Sequence, residues 1–159
     1  MINEKTKAVI VNTPNNPTGV VYSEETIRKL SEILTEKQKE LGISIYLISD
    51  EPYRELVYDG VEVPFVTPFY PATIVCYSYS KSLSLPGERI GYVLVPPAMP
   101  DKTSVYNAVC GAGRALGYVC APALFQKLIP ACGGMTADRS VYAHNRQLLY
   151  DSLTAYGFE

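Results

Sequence analysis

SYSKSLSLPGERIGY, residues 78–92, follows a short apolar run at Thr73–Tyr77 and decides how the chain is interpreted. It places Lys81, two serine hydroxyls and Arg89 around a tight Pro86-Gly87 reversal. An amine can form an imine with an aldehyde, and hydroxyls beside an arginine can hold a phosphate group. The run is therefore suited to a cofactor that carries both an aldehyde and a phosphate.

The apolar runs predict an α/β fold. Four of them are predicted to be strands: Ala8–Val11, Ile43–Ile48, Thr73–Tyr77 and Gly91–Val95. Continuous apolar runs without in-and-out alternation are typical of strands buried on both faces of a mostly parallel sheet, and a three-layer α/β/α arrangement is expected. Gly91–Val95 follows Lys81 too closely for a crossover helix, so we expect this strand to run antiparallel.

Helices are predicted between and after these strands. Ser23 can cap the first helix and Gly42 can end it. A second helix is expected from Asp101 to Leu116, interrupted by two glycines, Gly111 and Gly113. Two more are predicted near the end of the chain, from Pro122 to Ile129 and from a cap at Thr136 to about Ala155.

Composition excludes several classes of protein. The 159 residues suffice for one domain, and a net charge of −2 gives no basic surface for nucleic acid. No apolar run is long enough to span a bilayer, and no signal segment opens the chain. The four scattered cysteines are expected to be buried, reduced thiols of a cytoplasmic protein. The sole histidine, His144, cannot build a metal site by itself, so no metal is expected.

Three polar motifs come directly after three of the predicted strands. They are Asn15-Asn16-Pro17-Thr18-Gly19, Asp50-Glu51-Pro52-Tyr53 and Ser78-Tyr79-Ser80-Lys81. Each has an ordinary structural explanation if taken singly, as a turn, a helix cap and a surface lysine. In open α/β sheets, however, ligands bind beyond the carboxyl ends of the strands. The three motifs are therefore expected to meet at one crevice.

Together these motifs resemble the class I and II aminotransferases of fold type I, which use pyridoxal 5′-phosphate. The resemblance extends from Val9 to at least Tyr118, with the motifs in the order of that family. It implies that Lys81 forms a Schiff base with the cofactor and shuttles a proton at the α-carbon of the substrate. It also implies that Asp50 pairs with the pyridinium nitrogen, because the ring accepts electrons only while that nitrogen stays protonated.

The resemblance assigns the remaining site residues as well. Tyr53 and Asn16 would hydrogen-bond the phenolic oxygen of the cofactor ring. Ser78, Ser80 and Arg89 would hold its phosphate, since a phosphate dianion favours an arginine fork and short hydroxyl donors. Three neighbouring residues are expected to be scaffold only: Glu51, Arg54 and Tyr58.

Enzymes of this family are much longer than this chain. Residues 1–159 are expected to form one partial cofactor-binding large domain, without the N-terminal part and without the C-terminal small domain. The implied reaction is amino-group transfer between an amino acid and a 2-oxo acid, with the isolated fragment inactive because it holds half of the site. The segment Tyr106–Tyr118 resembles the dimer-side helix of the family, which implies a homodimeric parent.

Other functions remain open at this point. A carbon–sulfur β-lyase or another eliminating enzyme would share the same lysine, aspartate, tyrosine and arginine, and fold does not determine reaction. A truncated module without catalytic activity is a second alternative. A nucleotide-binding α/β domain ranks lower, because no glycine-rich phosphate motif follows a strand. Nothing in the sequence selects the amino-acid substrate.

Overall fold

The computed structural model describes residues 2–158 and contains a sheet with five helices along the chain. The strands are β1 (Ala8–Asn12), β2 (Tyr46–Asp50), β3 (Thr73–Ser78) and β4 (Gly91–Leu94). The helices are α1 (Glu24–Leu41), α2 (Tyr79–Ser82), α3 (Lys102–Ala115), α4 (Ala123–Ala131) and α5 (Arg139–Ala155). The predicted α/β class is confirmed.

The strands lie in the order β1-β2-β3-β4, so that neighbours in sequence are neighbours in the sheet. The first three strands are parallel and β4 is antiparallel to β3, as predicted. A Cβ added at Gly91 would lie 2.3 Å from the carbonyl oxygen of Tyr77. Only glycine therefore allows β4 to approach the end of β3 this closely.

Helix α1 covers one face of the sheet. Ser23 caps it by accepting a hydrogen bond from the N–H of Thr26, and Gly42 ends it in the left-handed conformation. Its apolar face packs into the main core, which consists of Val11, Ile27, Leu34, Ile45, Leu47, Val66 and Tyr70. The α1 boundaries predicted from Ser23 and Gly42 are thus confirmed.

The opposite face of the sheet is only lightly covered. Helix α3 lines a groove there with Tyr46 and Ile74, which completes the α/β/α layering, but none of the α3 residues is buried. Ile10 on β1 is 68% exposed on this face, whereas Val11 on the other face is buried. The prediction of strands buried on both faces is therefore wrong for β1, because α3 alone cannot shield this side from solvent.

Strand β2 begins three residues later than predicted, at Tyr46 and not Ile43. The main-chain groups of Ile45 are bound by side chains. Its N–H donates to Gln38 Oε1 over 2.9 Å, and its carbonyl oxygen accepts from the Tyr70 hydroxyl over 2.6 Å. The ladder can therefore start only with the N–H of Tyr46, which donates to the carbonyl of Lys7.

Two details of the later helices differ from the predictions. Helix α3 continues through Gly111 and Gly113 without a break, because single glycines weaken a helix by about 1 kcal/mol and do not end it. Helix α5 is capped by Asp138 and not by Thr136, since the Asp138 side chain accepts from the N–H of Ser140. His144 lies on the exposed surface of α5.

The four cysteines are free thiols, but the prediction that they are buried is wrong. Cys110 and Cys120 are exposed, and Cys76 and Cys132 are half-buried. Within residues 2–158 no group of three or more potential metal ligands comes together. Across the same range, no helix has the length and hydropathy needed to cross a bilayer.

Candidate active site

The carboxyl ends of the three parallel strands bring the polar motifs to one edge of the sheet. Asn12 pairs in register with Asp50, and Asp50 pairs in register with Cys76, two residues before Ser78. The turn after β1, the turn after β2 and helix α2 after β3 therefore start side by side. This is the position at which open α/β sheets bind their ligands.

Asp50 is held in place by Asn12. The Asn12 Nδ2 atom donates to Asp50 Oδ2 over 3.1 Å and to the Asp50 main-chain oxygen over 3.0 Å. Partial burial raises the pKa of Asp50 above its usual value because desolvation disfavours the carboxylate. The Asp50 carboxylate would regain stabilisation from a cationic donor placed against its remaining oxygen, and a protonated pyridine nitrogen is such a donor.

Asn16 and Tyr53 form a second pair in the same place. Asn16 Nδ2 lies 2.9 Å from the Tyr53 hydroxyl oxygen, to which it donates. The turn that presents Asn16 is closed by a hydrogen bond from the N–H of Gly19 to the carbonyl of Asn15, and Gly19 has φ of 71°, which favours glycine. An amide and a phenol side by side offer two donors to an oxygen anion.

Lys81 reaches the same region from the third strand. Ser78 caps the single turn of α2, and Lys81 lies in that turn with its Nζ 5.8 Å from the centre of the Tyr53 ring. A lysine ammonium within about 6 Å of an aromatic ring is attracted to its face. The structure thus brings the predicted lysine beside the predicted phenol, although they follow different strands.

The residues expected to hold a phosphate form two separate groups. The Ser78 and Ser80 hydroxyls are 2.7 Å apart, and the Ser80 N–H also donates to Ser78 Oγ. Arg89 is exposed with φ of 52°, and its Nη1 donates to the Pro86 carbonyl over 2.8 Å. Across residues 2–158 no hydrogen bond or ion pair joins Arg89 to Ser78, Ser80 or Lys81.

The turn between Asp50 and Tyr53 is stabilised by an ion pair between buried Glu51 and half-buried Arg54. Arg54 Nε donates to Glu51 Oε2 over 2.7 Å, and the Ser49 hydroxyl donates to the other carboxylate oxygen. Arg54 also donates to the carbonyls of Val63 and Pro64. Glu51 and Arg54 therefore behave as scaffold, which agrees with their interpretation from sequence.

Asn12 is the residue that sequence reasoning missed. Strand β1 is predicted to end at Val11 but ends at Asn12, which is not among the predicted site residues. The available signal was its place as the last residue of β1, which corresponds to Asp50 at the end of β2. Register between strands, which the sequence does not display, is what sets the Asn12 amide against Asp50.

The donor set fits pyridoxal 5′-phosphate. The cofactor has a ring nitrogen, a phenolic oxygen, an aldehyde and a phosphate. The chain offers a carboxylate, an amide–phenol pair, an amine, two paired hydroxyls and an exposed arginine. The carboxylate is partly desolvated, which matches a cationic partner. The amide and the phenol of the pair lie 2.9 Å apart, so that both can face one oxygen atom.

Comparison with known proteins gives one family. The chain matches the family model described as "Aminotransferase class I and II" over residues 1–159. It is 33% identical to a probable aspartate/prephenate aminotransferase of Thermus aquaticus over 162 aligned residues, covering 99% of this chain and 40% of that protein. It is 28% identical to aromatic-amino-acid aminotransferase 2 of Thermococcus litoralis, covering 98% of this chain and 39% of that protein.

Solved structures agree with the sequence matches. A crystal structure of an amino transferase from Eubacterium rectale superposes with a TM-score of 0.96 at 65% identity, covering 99% of this chain and 40% of that one. Aspartate aminotransferase from Thermus thermophilus with maleate gives a TM-score of 0.66 at 28% identity, with the same coverage. The chain thus spans about 40% of the length of the proteins it matches.

Proposed function

The chain belongs to the class I and II aminotransferases, and on that premise we propose that the protein containing it transfers amino groups between an amino acid and a 2-oxo acid with pyridoxal 5′-phosphate. Residues 1–159 would form part of its large, cofactor-binding domain. The proposal extends to the whole protein, because this chain spans about 40% of the length of its relatives.

One observation carries the proposal. Side chains from the ends of three strands are linked at one edge of the sheet: Asn12 holds Asp50, Asn16 holds Tyr53, and Lys81 lies over the Tyr53 ring. Each group matches a different part of one cofactor. Residues that served only as a turn, a helix cap and a surface lysine would not be expected to lie in contact at one edge of the sheet.

Each residue would have a distinct role with the cofactor bound. Asp50 would keep the ring nitrogen protonated, and Asn16 with Tyr53 would donate to the phenolic oxygen. Lys81 would carry the aldehyde between turnovers and would move the proton at the substrate α-carbon as general base and acid. Pyridoxal 5′-phosphate supplies an electron sink for the charge released when that proton leaves.

The phosphate would be held by Ser78, Ser80 and Arg89. The two hydroxyls lie together at the start of α2, where they can donate to phosphate oxygens. Arg89 would exchange its contact with the Pro86 carbonyl for the phosphate, since an exposed arginine gains more from an anion than from a carbonyl dipole.

The comparisons favour transamination over β-elimination. The relatives and structures described above are named aminotransferases, and some of them act on aspartate or aromatic amino acids according to their names. A homodimer is also proposed for the whole protein, supported by exposed apolar residues such as Tyr106, Leu116 and Tyr118 along and after α3. Cytoplasmic location is supported by the four free thiols.

The proposal is tested by covalent capture of the cofactor. The purified chain is mixed with pyridoxal 5′-phosphate, reduced with borohydride, and its adducts are mapped by mass spectrometry. We expect saturable labelling confined to Lys81 and absent in Lys81→Ala. Lys102→Ala is the matched control, because Lys102 is an exposed lysine bound to the Pro97 carbonyl and should leave the labelling unchanged.

Diffuse labelling over several lysines would show that residues 1–159 do not form a cofactor site by themselves, and the function would then belong only to the longer protein. Transamination itself is then measured on the whole protein with amino-acid and 2-oxo-acid pairs. Release of pyruvate and sulfide or ammonia, with no amino group transferred, would assign the protein to the β-lyases instead.

A further inference from the structure

Asn12 uses every hydrogen-bonding position of its side-chain amide. Its two Nδ2–H groups donate to Asp50, one to the carboxylate and one to the main-chain oxygen. Its Oδ1 accepts from the N–H of Asn16 over 2.8 Å and from Asn15 Nδ2 over 3.2 Å. A primary amide has two donors and two acceptor sites, so the inventory is complete.

This pattern also determines the orientation of the amide. If the amide of Asn12 were turned over, its oxygen would face the two oxygens of Asp50 and its nitrogen would face two donors. All four contacts would become repulsive, so only one orientation satisfies the surroundings. Asn12 is therefore locked between the end of β2 and the turn after β1.

Through the turn, Asn12 is connected to the pair that faces the cofactor's oxygen. The main-chain N–H of Asn16 is fixed by Asn12, and the side chain of the same Asn16 donates to the Tyr53 hydroxyl. One continuous path therefore runs from the Asp50 carboxylate through Asn12 and Asn16 to Tyr53. It joins the two places where the aromatic ring of the cofactor would be held.

We propose that Asn12 is a positioning residue that locks Asp50 to the Asn16–Tyr53 pair, so that the partners of the ring nitrogen and of the phenolic oxygen are set as one unit. The proposal rests on the proposed function for its use of the cofactor. Asn12 occupies Oδ2 of Asp50 and leaves Oδ1 for the ring nitrogen. Its donated hydrogen bond also stabilises the ionised carboxylate, which the site requires.

The first test measures the carboxyl group of Asp50 in the cofactor-free protein by residue-specific NMR titration. We expect Asn12→Ala to raise the Asp50 pKa by about one pH unit, since a donor to the charged form is lost. Asn12→Asp should raise it further, because this isosteric change places a second carboxyl against the first. Asn15→Ala is the comparison variant: it removes the contact to Asn12 Oδ1 and two contacts to Thr18 in the same turn, but it leaves both hydrogen bonds between Asn12 and Asp50 in place.

The titration of Asp50 can be distinguished from that of its titratable neighbours. Cys76 lies opposite Asp50 on β3, and burial raises the pKa of its thiol, so it stays protonated in the acid range. Glu51 is adjacent in sequence but has its own resonance and is paired with Arg54. An Asp50 pKa unchanged by Asn12→Ala, or raised equally by Asn15→Ala, would overturn the proposal.

The second test measures coupling. Dissociation constants for pyridoxal 5′-phosphate are determined for Asn12→Ala, Tyr53→Phe and the double variant. We expect each single change to weaken binding, Asn12→Ala by about tenfold, and the double change to weaken it by less than the product of the two. Multiplicative effects would show that Asn12 and Tyr53 act independently and would overturn the link to Tyr53.

A third measurement needs no variant, in case Asn12→Ala and Asn12→Asp do not fold. The Asn12 Nδ2 protons of the unaltered protein should shift with pH at the midpoint of the Asp50 carboxyl; no such shift would overturn the proposal. If the proposed function is wrong, the unaltered protein will not bind pyridoxal 5′-phosphate. The two NMR measurements do not need the cofactor, so they still test whether Asn12 positions Asp50.

Discussion

The Nζ atom of Lys81 lies 5.8 Å from the centre of the Tyr53 ring, and the hydroxyl of that ring accepts a hydrogen bond from Asn16. Tyr53 is thus in contact with groups from the ends of two other strands. Its ring and its hydroxyl serve different neighbours, so the two contributions can be separated by substitution.

Tyr53→Phe should weaken binding of pyridoxal 5′-phosphate by about 1 kcal/mol, roughly fivefold, because one neutral hydrogen bond is lost while the ring beside Lys81 remains. Tyr53→Leu should weaken it more, since the aromatic face is removed as well. Equilibrium binding followed by cofactor absorbance measures both effects. Tyr22→Phe, at a half-buried tyrosine before α1, serves as the control, and equal losses at Tyr22 and Tyr53 would contradict the assignment.

Arg89→Ala should remove the preference for a phosphorylated cofactor. A charge-assisted contact contributes about 1.5–3 kcal/mol, so affinity for pyridoxal 5′-phosphate should fall by about ten- to a hundredfold. Affinity for pyridoxal, which has no phosphate, should stay the same. Competition between the two compounds in the borohydride labelling of Lys81 measures the ratio. If both affinities fell equally, Arg89 would be acting on the fold and not on the phosphate.

Asp50→Asn should have opposite effects on the stability of the fold at neutral pH and on cofactor binding. Burial raises the folded-state pKa of Asp50 above its unfolded value, so the folded state binds this proton more tightly. The stability due to Asp50 is therefore present below about pH 3.8 and is lost as pH rises through the folded-state pKa. Urea unfolding at a series of pH values measures this effect. As pH rises, the free energy of unfolding of Asp50→Asn should increase relative to that of the unaltered protein.

The same Asp50→Asn variant should bind pyridoxal 5′-phosphate more weakly at pH 7, because a neutral amide cannot keep the ring nitrogen protonated. Glu40→Gln is a suitable control, since Glu40 is an exposed carboxylate near the end of α1 that is paired with Lys37. The difference in the free energy of unfolding between Asp50→Asn and the unaltered protein should vary with pH. A constant difference would contradict the inference that burial raises the pKa of Asp50.

Gly91→Ala should destabilise the fold by about 1–3 kcal/mol, because the added methyl group would meet the Tyr77 carbonyl oxygen at 2.3 Å and push β4 away from β3. Gly87→Ala is the matched control, since nothing lies within 4 Å of its added Cβ and its φ is not positive. Urea unfolding measures both variants. Equal stability of the two would show that the β3–β4 pairing tolerates a wider spacing.

Much of the fold followed from local patterns. The caps at Ser23 and Gly42 define α1, and the short connection after Lys81 requires an antiparallel β4, because both depend on residues close in the chain. The start of β2 did not follow, since Gln38 and Tyr70 bind the main chain of Ile45 from distant positions. The cap of α5 was misassigned because Thr136 and Asp138 are both good caps.

For the site, the sequence alone determined the chemical groups and the strand ends that carry them: the carboxylate of Asp50, the amine of Lys81 and the hydroxyls of Ser78 and Ser80. Which of these groups touch depends on how distant parts of the chain pack together. Strand register sets Asn12 against Asp50, and the packing of two turns sets Asn16 against Tyr53. The physical reason is that residue types and local propensities act over a few positions, whereas hydrogen bonds between strand ends depend on how distant segments align.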